Sequence, residues 1–308
     1  YRFSRLASPR HSLNELMRSR QRATTSKQDF YNYKLARFFS GASKPIPPQA
    51  FQRVCDTSRA LTNSGEEGQP YYIGVDFGGG EYSETVVCVV SVPEFQDGGK
   101  PFRVRVENVF QIGYDSRTEE LQKIADKLER FGLKTNGRCV ADLGFGSAHV
   151  DALQNGDTRD NKIPEHGYGS RVVGHRFGNL KREQSDSRHD WLKWDGRNVR
   201  AYKPPWCNEV VDLFPDVQGF DKTQPEAVDW DVTRTQSERI TVPYHDDVET
   251  QSRMNWWSEH LTSVKREYKE SRETGKTKEF FTVFSEEQKD DGFLALVYAF
   301  TAACLGSA

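Results

Sequence analysis

From Tyr71 onward, apolar positions recur along the chain with the period of a strand or of a helix. YYIGVDFGGG is a β-rich run that ends in an Asp and a glycine cluster, and ETVVCVVSV, Glu84 to Val92, is a second apolar run. FRVRVENVFQIGY, Phe102 to Tyr114, alternates as a half-buried strand does, so three strands with turn-like joins predict an antiparallel meander. TEELQKIADKLERFG places Leu121, Ile124, Ala125 and Leu128 at helical spacing and stops at Gly132. A fourth strand, RCVADLGFG from Arg138 to Gly146, again ends in an Asp and a glycine-rich turn, and GSRVVGHRF supplies a fifth around Val172. This order predicts an α/β fold: a mixed five-stranded sheet flanked by helices, its first three strands antiparallel and the later ones added by helical crossovers.

Between His175 and Asn255 the periodicity loosens. KWDGRNV contains Asp195-Gly196, the dipeptide of a tight hairpin, and predicts a β-hairpin insertion. NEVVDLF has the pattern of a short helix, and Trp256-Trp257 in MNWWSEHL suits a helix packed against the domain. The last apolar stretch, KDDGFLALVYAF from Lys289 to Phe300, opens on two carboxylates. Asp291, Leu294, Ala295, Tyr298, Ala299 and Ala302 recur at helical spacing, so Asp291 heads the stripe that meets the sheet, and the alanines let the helix approach closely. Asp290 is turned about 100° off that stripe. An Asp in a first helical turn also caps orphan N–H groups, so a capping role for the pair stays open at this point.

Before Tyr71 the pattern is weak. Residues 1–66 are expected to be a basic linker or arm, with one or two short helices and the Pro-rich KPIPPQAF, and residues 67–308 the folded domain. Charge supports the division. The first 65 residues hold 12 of the 43 Lys/Arg and 3 of the 45 Asp/Glu, which leaves 31 against 42, a net −11, on the remainder of a chain whose overall charge is −2. Five scattered cysteines without C-x-x-C spacing predict buried, reduced thiols. No apolar run is long enough to span a membrane, and the first residues lack both a Met and a signal-peptide core. An intracellular chain cut from a longer one is the expectation.

Asp76 ends the first strand, Asp142 ends the fourth, and Asp290 with Asp291 begins the last helix. In a mixed sheet these points can meet. Converging carboxylates repel one another unless divalent cations neutralise them, and a donor set of oxygens without Cys or His favours Mg²⁺ or Mn²⁺.

YIGVDFG, VADLGFG and KDDGFLALVYA, in that order, resemble the nuclease domain of the viral or phage large terminase subunit, a member of the RNase H-like superfamily. The resemblance runs from about residue 67 to the end, and FYNYKLARFFSGASKPIPPQAF resembles the join between that family's ATPase and nuclease domains. It implies an RNase H-like fold and an endonuclease that cuts double-stranded DNA concatemers during genome packaging in the host cell cytoplasm. It also implies two Mg²⁺ or Mn²⁺ ions, with Asp76, Asp142 and Asp291 as catalytic ligands and Asp290 as helper. The implied partners are double-stranded DNA, an ATPase domain in cis, the portal and the small terminase subunit, with no membrane. The ATPase signature G-x-x-x-x-G-K-[ST] occurs nowhere, because Glu270 stands where Gly275-Lys276-Thr277 would need a first Gly. This chain is expected to cut but not to translocate.

An acidic domain needs local cations to hold DNA. Arg171, His175, Arg176, Lys181 and Arg182 form the densest candidate patch, with Lys193, Arg197 and Arg200 along the expected hairpin. His175 is also a candidate proton donor. Three other readings compete: an actin or sugar-kinase type ATPase, whose Asp-x-Gly hairpins hold phosphates but which needs two such domains; a Holliday-junction resolvase or transposase core; and a non-catalytic DNA-binding module whose carboxylates are caps.

Overall fold

The computed structural model describes residues 44–79, 83–96, 98–156, 163, 166–178, 189–215, 239–270, 277–283 and 289–306. Lys181, Arg182 and most of the basic arm lie outside the described residues. A short helix α1 (Pro48–Val54) leads into β1 (Cys55–Asp56), followed by the meander β2 (Tyr72–Asp76), β3 (Thr85–Phe95) and β4 (Pro101–Ile112). Helix α2 (Arg117–Arg130), β5 (Arg138–Asp142), α3 (Ser147–Asn155) and β6 (Val172–Phe177) come next. The hairpin β7 (Leu192–Asp195) and β8 (Asn198–Ala201) precedes α4 (Lys203–Val211) and β9 (Ile240–Pro243). The remaining elements are α5 (Val248–Ser263), β10 (Val264–Glu270), β11 (Thr277–Val283) and α6 (Asp291–Gly306).

The large sheet has nine strands in the order β1-β9-β4-β3-β2-β5-β6-β8-β7, wider than the five-stranded sheet expected from periodicity. The five expected strands occupy its middle. β2 pairs antiparallel with β3 and β3 with β4, whereas β2–β5, β5–β6 and β6–β8 are parallel. The four added strands are only two to four residues long, too short to show a period of their own. β7 and β8 form the hairpin predicted at Asp195-Gly196, where Gly196 takes a φ of 64°. A second, two-stranded antiparallel sheet, β10–β11, stands between α5 and α6 and was hidden by its charged sequence.

Strand alternation sorts side chains onto two faces. Tyr72, Val86, Cys88, Val140, Val173, Val199 and Ala201 pack under α6, with α1, α4 and α5 contributing to the same core. Ile73, Val75, Val87, Cys139, Ala141 and Val172 pack on the other side, under α2 and α3. Part of the stretch expected to be a linker belongs to the first core: Ile46, Ala50, Phe51 and Val54 are buried, and Phe51 meets Trp257 edge-on at 6.0 Å. Glu107 anchors the segment that follows, accepting from Arg59 at 2.9 Å, Thr62 at 3.0 Å and Ser91 at 2.6 Å. Cys88, Cys139, Cys207 and Cys304 are buried in the interior. No helix among the described residues is long and apolar enough to cross a membrane.

Helix α6 lies against β2 with its backbone on Gly74. A Cβ at Gly74 would fall 2.0 Å from the Ala295 carbonyl oxygen and 2.3 Å from the Ala299 nitrogen, so the helix sits where only glycine allows it. Both obstacles are helix backbone and cannot swing aside. Gly74→Ala is therefore expected to destabilise the fold by about 3 kcal/mol or more, read as a fall in the urea midpoint at unchanged m. A variant as stable as the parent would mean that α6 does not approach β2 as described.

Candidate active site

Asp76 and Asp142 sit at the ends of adjacent parallel strands, since Val75 is in register with Ala141. Both face α6 by alternation, because Tyr72 and Val140 of the same strands belong to the core beneath that helix. Gly146 makes the proximity of the two turns possible: a Cβ there would stand 1.9 Å from the ring of Phe77. Behind the turn that follows Asp76, the Gly78 N–H donates to Thr85 Oγ1 at 2.8 Å, and Thr85 hydrogen-bonds to buried Glu120. His149 Nε2 comes within 3.0 Å of Glu120, out of line for a hydrogen bond, while its ring lies 4.8 Å from that of Phe77.

The first turn of α6 completes the cluster. Asp291 is 7% exposed, and its carboxylate accepts from Ser83 Oγ and from the Glu84 N–H, each at 2.9 Å. The backbone carbonyl of Asp290 accepts from the Phe293 and Leu294 N–H groups at 2.9 Å, which makes Asp290 the capping position and Asp291 the residue turned to the sheet. Ser83 and Glu84 carry no motif, and only the fold reveals their role. Two contacts from α5 fix this turn, Trp257 Nε1 donating to the Gly292 carbonyl at 3.0 Å and the Gly292 N–H donating to His260 Nδ1 at 3.2 Å, and beside it Lys289 pairs with Glu84. Burial pushes His260 down to about 4, which keeps its acceptor nitrogen free of a proton at neutral pH.

The electrostatics show that the carboxylates interact. Burial holds Asp76 well above the ordinary range, and the charges of Asp291, Asp142 and Asp290 push it further up. Asp291 is raised by burial, with the Glu84 N–H and the Ser83 hydroxyl pulling it back. Tyr298, two turns along α6, donates its hydroxyl to Asp142 Oδ1 at 3.3 Å, and the Phe145 N–H donates to Oδ2 at 3.2 Å. Burial and the nearby Asp76 and Asp142 hold that phenol well above its usual value, so it remains a donor. Among the described residues, no three His, Cys, Asp or Glu side chains stand close enough to grip one ion as they are placed. The donor chemistry nevertheless fits hard divalent cations, because the groups around Asp76 are carboxylates whose mutual repulsion such ions relieve.

Among the described residues, the expected DNA-contacting side chains do not gather here. His175 is in register with Asp142 but 0% exposed, its ring 4.7 Å from Phe177 and 4.9 Å from Tyr298. Burial depresses it to about 3. It is a neutral wall residue that can neither reach a phosphate nor supply a proton near neutral pH. Arg176, Arg200 and Lys193 form a row across β6, β8 and β7 on the sheet face opposite the carboxylates, and Asp195 pairs with both arginines. Arg197 donates to Asn155 at 2.9 Å. Arg171 donates to the Thr135 carbonyl at 3.0 Å, at the end of β6 away from Asp142. A cation that sequence reasoning passed over, Lys203 at the start of α4, does act on Asp76 and draws its carboxyl down. Lys203 sits between Tyr202 and a proline pair, with no local signal beyond its charge.

No family model matches this chain, and no curated protein matches its sequence.

A carboxyl raised in the folded state adds stability while it is protonated, and that contribution is lost as pH rises through the raised value. Asp76 and Asp291 both have this sign. With a chelator present, the chain is expected to lose stability as pH rises above the ordinary Asp range, through these two groups. Asp76→Asn should flatten that profile and, at the alkaline end, exceed the parent in urea unfolding. A variant less stable than the parent throughout would show that Asp76 is not under carboxylate repulsion.

Proposed function

We propose that this chain is a metal-dependent endonuclease of RNase H-like architecture that hydrolyses phosphodiester bonds of double-stranded DNA. One observation carries the reading: Asp76 and Asp142, far apart in sequence, end adjacent strands beneath the helix that opens on Asp291 and whose Tyr298 holds Asp142, and Asp291 and Asp142 both act on Asp76. The order of the five central strands, β4-β3-β2-β5-β6 with an antiparallel meander followed by parallel additions, supports the RNase H-like assignment. Cutting of concatemers during viral genome packaging in the host cytoplasm, with an ATPase domain in cis and with portal and small-subunit partners, rests on the resemblance to terminase nuclease domains.

Asp76, Asp142 and Asp291 would hold the Mg²⁺ or Mn²⁺ ions, which when bound supply activation of water and stabilisation of the leaving oxygen. The rest is work of the chain's own groups. Tyr298 and the Phe145 N–H orient the carboxylate of Asp142, and Ser83 with the Glu84 N–H orients that of Asp291. Asp76 is carried by β2, which is buried along its whole length.

Metal binding to the folded state alone adds stability by mass action. Mn²⁺ or Mg²⁺ at a hundredfold excess over Kd is expected to raise Tm by about 5 to 10 °C, and Asp76→Asn should abolish most of the rise. Absence of any metal-dependent shift in the parent chain counts against the site.

Cleavage separates the two residues of the acidic pair. Asp291→Asn and Asp142→Asn are expected to be folded by circular dichroism and inactive on linear or supercoiled duplex. Asp290→Asn should retain a reduced rate at close to the parent's stability, because Asn caps a helix about as well as Asp. Duplex binding without cleavage in any divalent metal would instead identify a DNA-binding module, and an active Asp291→Asn would reduce the pair to a cap.

A further inference from the structure

Three of the cations that the sequence groups together, Arg176, Arg200 and Lys193, lie on the wrong side of the sheet for the carboxylates. Arg176, Arg200 and Lys193 share one cross-strand row, and their neighbours Val199, Ala201 and Leu192 point the other way, into the core under α6. A region carrying −11 still has to attract a polyanion to a point where Asp291, Asp142 and Asp290 all act on Asp76. That requires positive charge on the carboxylate face.

Lys203 is on that face. It follows β8, whose Ala201 is in register with Phe177 of β6, and its Nζ stands 5.4 Å from the centroid of the Phe177 ring. The Phe177 ring lies 6.0 Å from that of Tyr298, whose hydroxyl holds Asp142. The three side chains therefore form a continuous wall from the ammonium to the carboxylate. Its charge also reaches the cluster, for it acts on Asp76, and it acts on Cys207 together with Asp290. Pro204 and Pro205 fix the start of α4 immediately after it, which limits how far its backbone can wander. The side chain is only partly buried, with its ammonium over the face of the Phe177 ring.

We propose that Lys203 grips the DNA phosphate that lies at the carboxylate cluster, its ammonium donating to non-bridging phosphate oxygens. This inference rests on the nuclease reading above. It makes Lys203 a residue of the site, positioned on the Phe177–Tyr298 wall, and leaves the opposite cationic row without a part in holding the cut phosphate.

The test uses the full chain and its Lys203→Met and Lys203→Arg variants. Binding of a labelled duplex is followed against salt with Ca²⁺ present, cleavage is followed in Mn²⁺, and Mn²⁺ affinity is measured by calorimetry without DNA. Lys203→Met is expected to flatten the slope of log K against log salt by about 1 and to slow cleavage by about 100-fold. Its Mn²⁺ affinity should be unchanged or tighter, because a charge that repels the ion has gone. Lys203→Arg should restore the slope and part of the rate. A Lys203→Met chain that binds and cuts like the parent overturns the proposal and leaves the nuclease reading standing. Parallel loss of Mn²⁺ affinity and DNA affinity also overturns it, by showing that Lys203 only supports the fold. A parent chain that neither binds Mn²⁺ nor cuts removes both.

Discussion

The packing of α6 on Gly74 is the contact on which the site depends. With the helix backbone seated directly on β2, Asp291 is delivered to the end of the strand that carries Asp76, and Tyr298 to the end of β5. Such an arrangement needs a source of stability, since it forces carboxylates together in a buried place. The same helix provides it. Phe293, Leu296, Val297, Phe300 and Leu305 are all buried, and each large apolar side chain removed from water is worth about 1.5–3 kcal/mol. The most apolar helix and the acidic pair belong to one device, in which apolar burial offsets the repulsion that the site requires.

How much of this could be read from the sequence depended on whether the signal was local. The strand runs ending in Asp76 and Asp142 carry both a period and a glycine-rich turn, and both elements appear where expected. The stripe through Asp291, Ala295, Tyr298 and Ala299 is a helical period, and Gly74 meets the last three of those residues. Non-local partners were invisible. Nothing around Ser83, Glu84, Trp257 or His260 announces that they would fix the first turn of α6, because their partners are up to 208 residues away in the chain. The burial of Phe51 was masked by its Pro-rich and basic surroundings for the same reason.

The cationic residues teach a sharper lesson, because their misplacement was readable. Asp142 and His175 are in parallel register, so whatever face carries the carboxylate carries the imidazole, and Arg176 must face the other way. Local density of Lys and Arg in a sequence says little about density at a site when the segment is a strand, for alternation divides the residues between two sides of the sheet. Asp195 then binds Arg176 and Arg200, and the hydrogen bond from Arg176 is the main influence holding that carboxyl below its ordinary value. Lys203 escaped notice because it stands alone at a strand-to-helix junction, where neither period nor clustering marks it.

Helix geometry also explains why Tyr298 is a tyrosine in a helix otherwise given to apolar and small residues. Asp291 and Tyr298 are seven residues apart, two turns and about 10.5 Å along the axis, and so lie on one side of α6. At one end of that span the helix offers a carboxylate, which needs donors and finds them in Ser83 and the Glu84 N–H. At the other end it offers a hydroxyl, which supplies a donor to Asp142. Phenylalanine would fill the same space against His175 and Phe177 but would leave Asp142 Oδ1 without that bond. A slip of one residue would rotate both groups by about 100° and carry them off the sheet together. The spacing of Asp142 and Asp291 is thus set by a rigid element seated at Gly74 rather than by the loops that precede them.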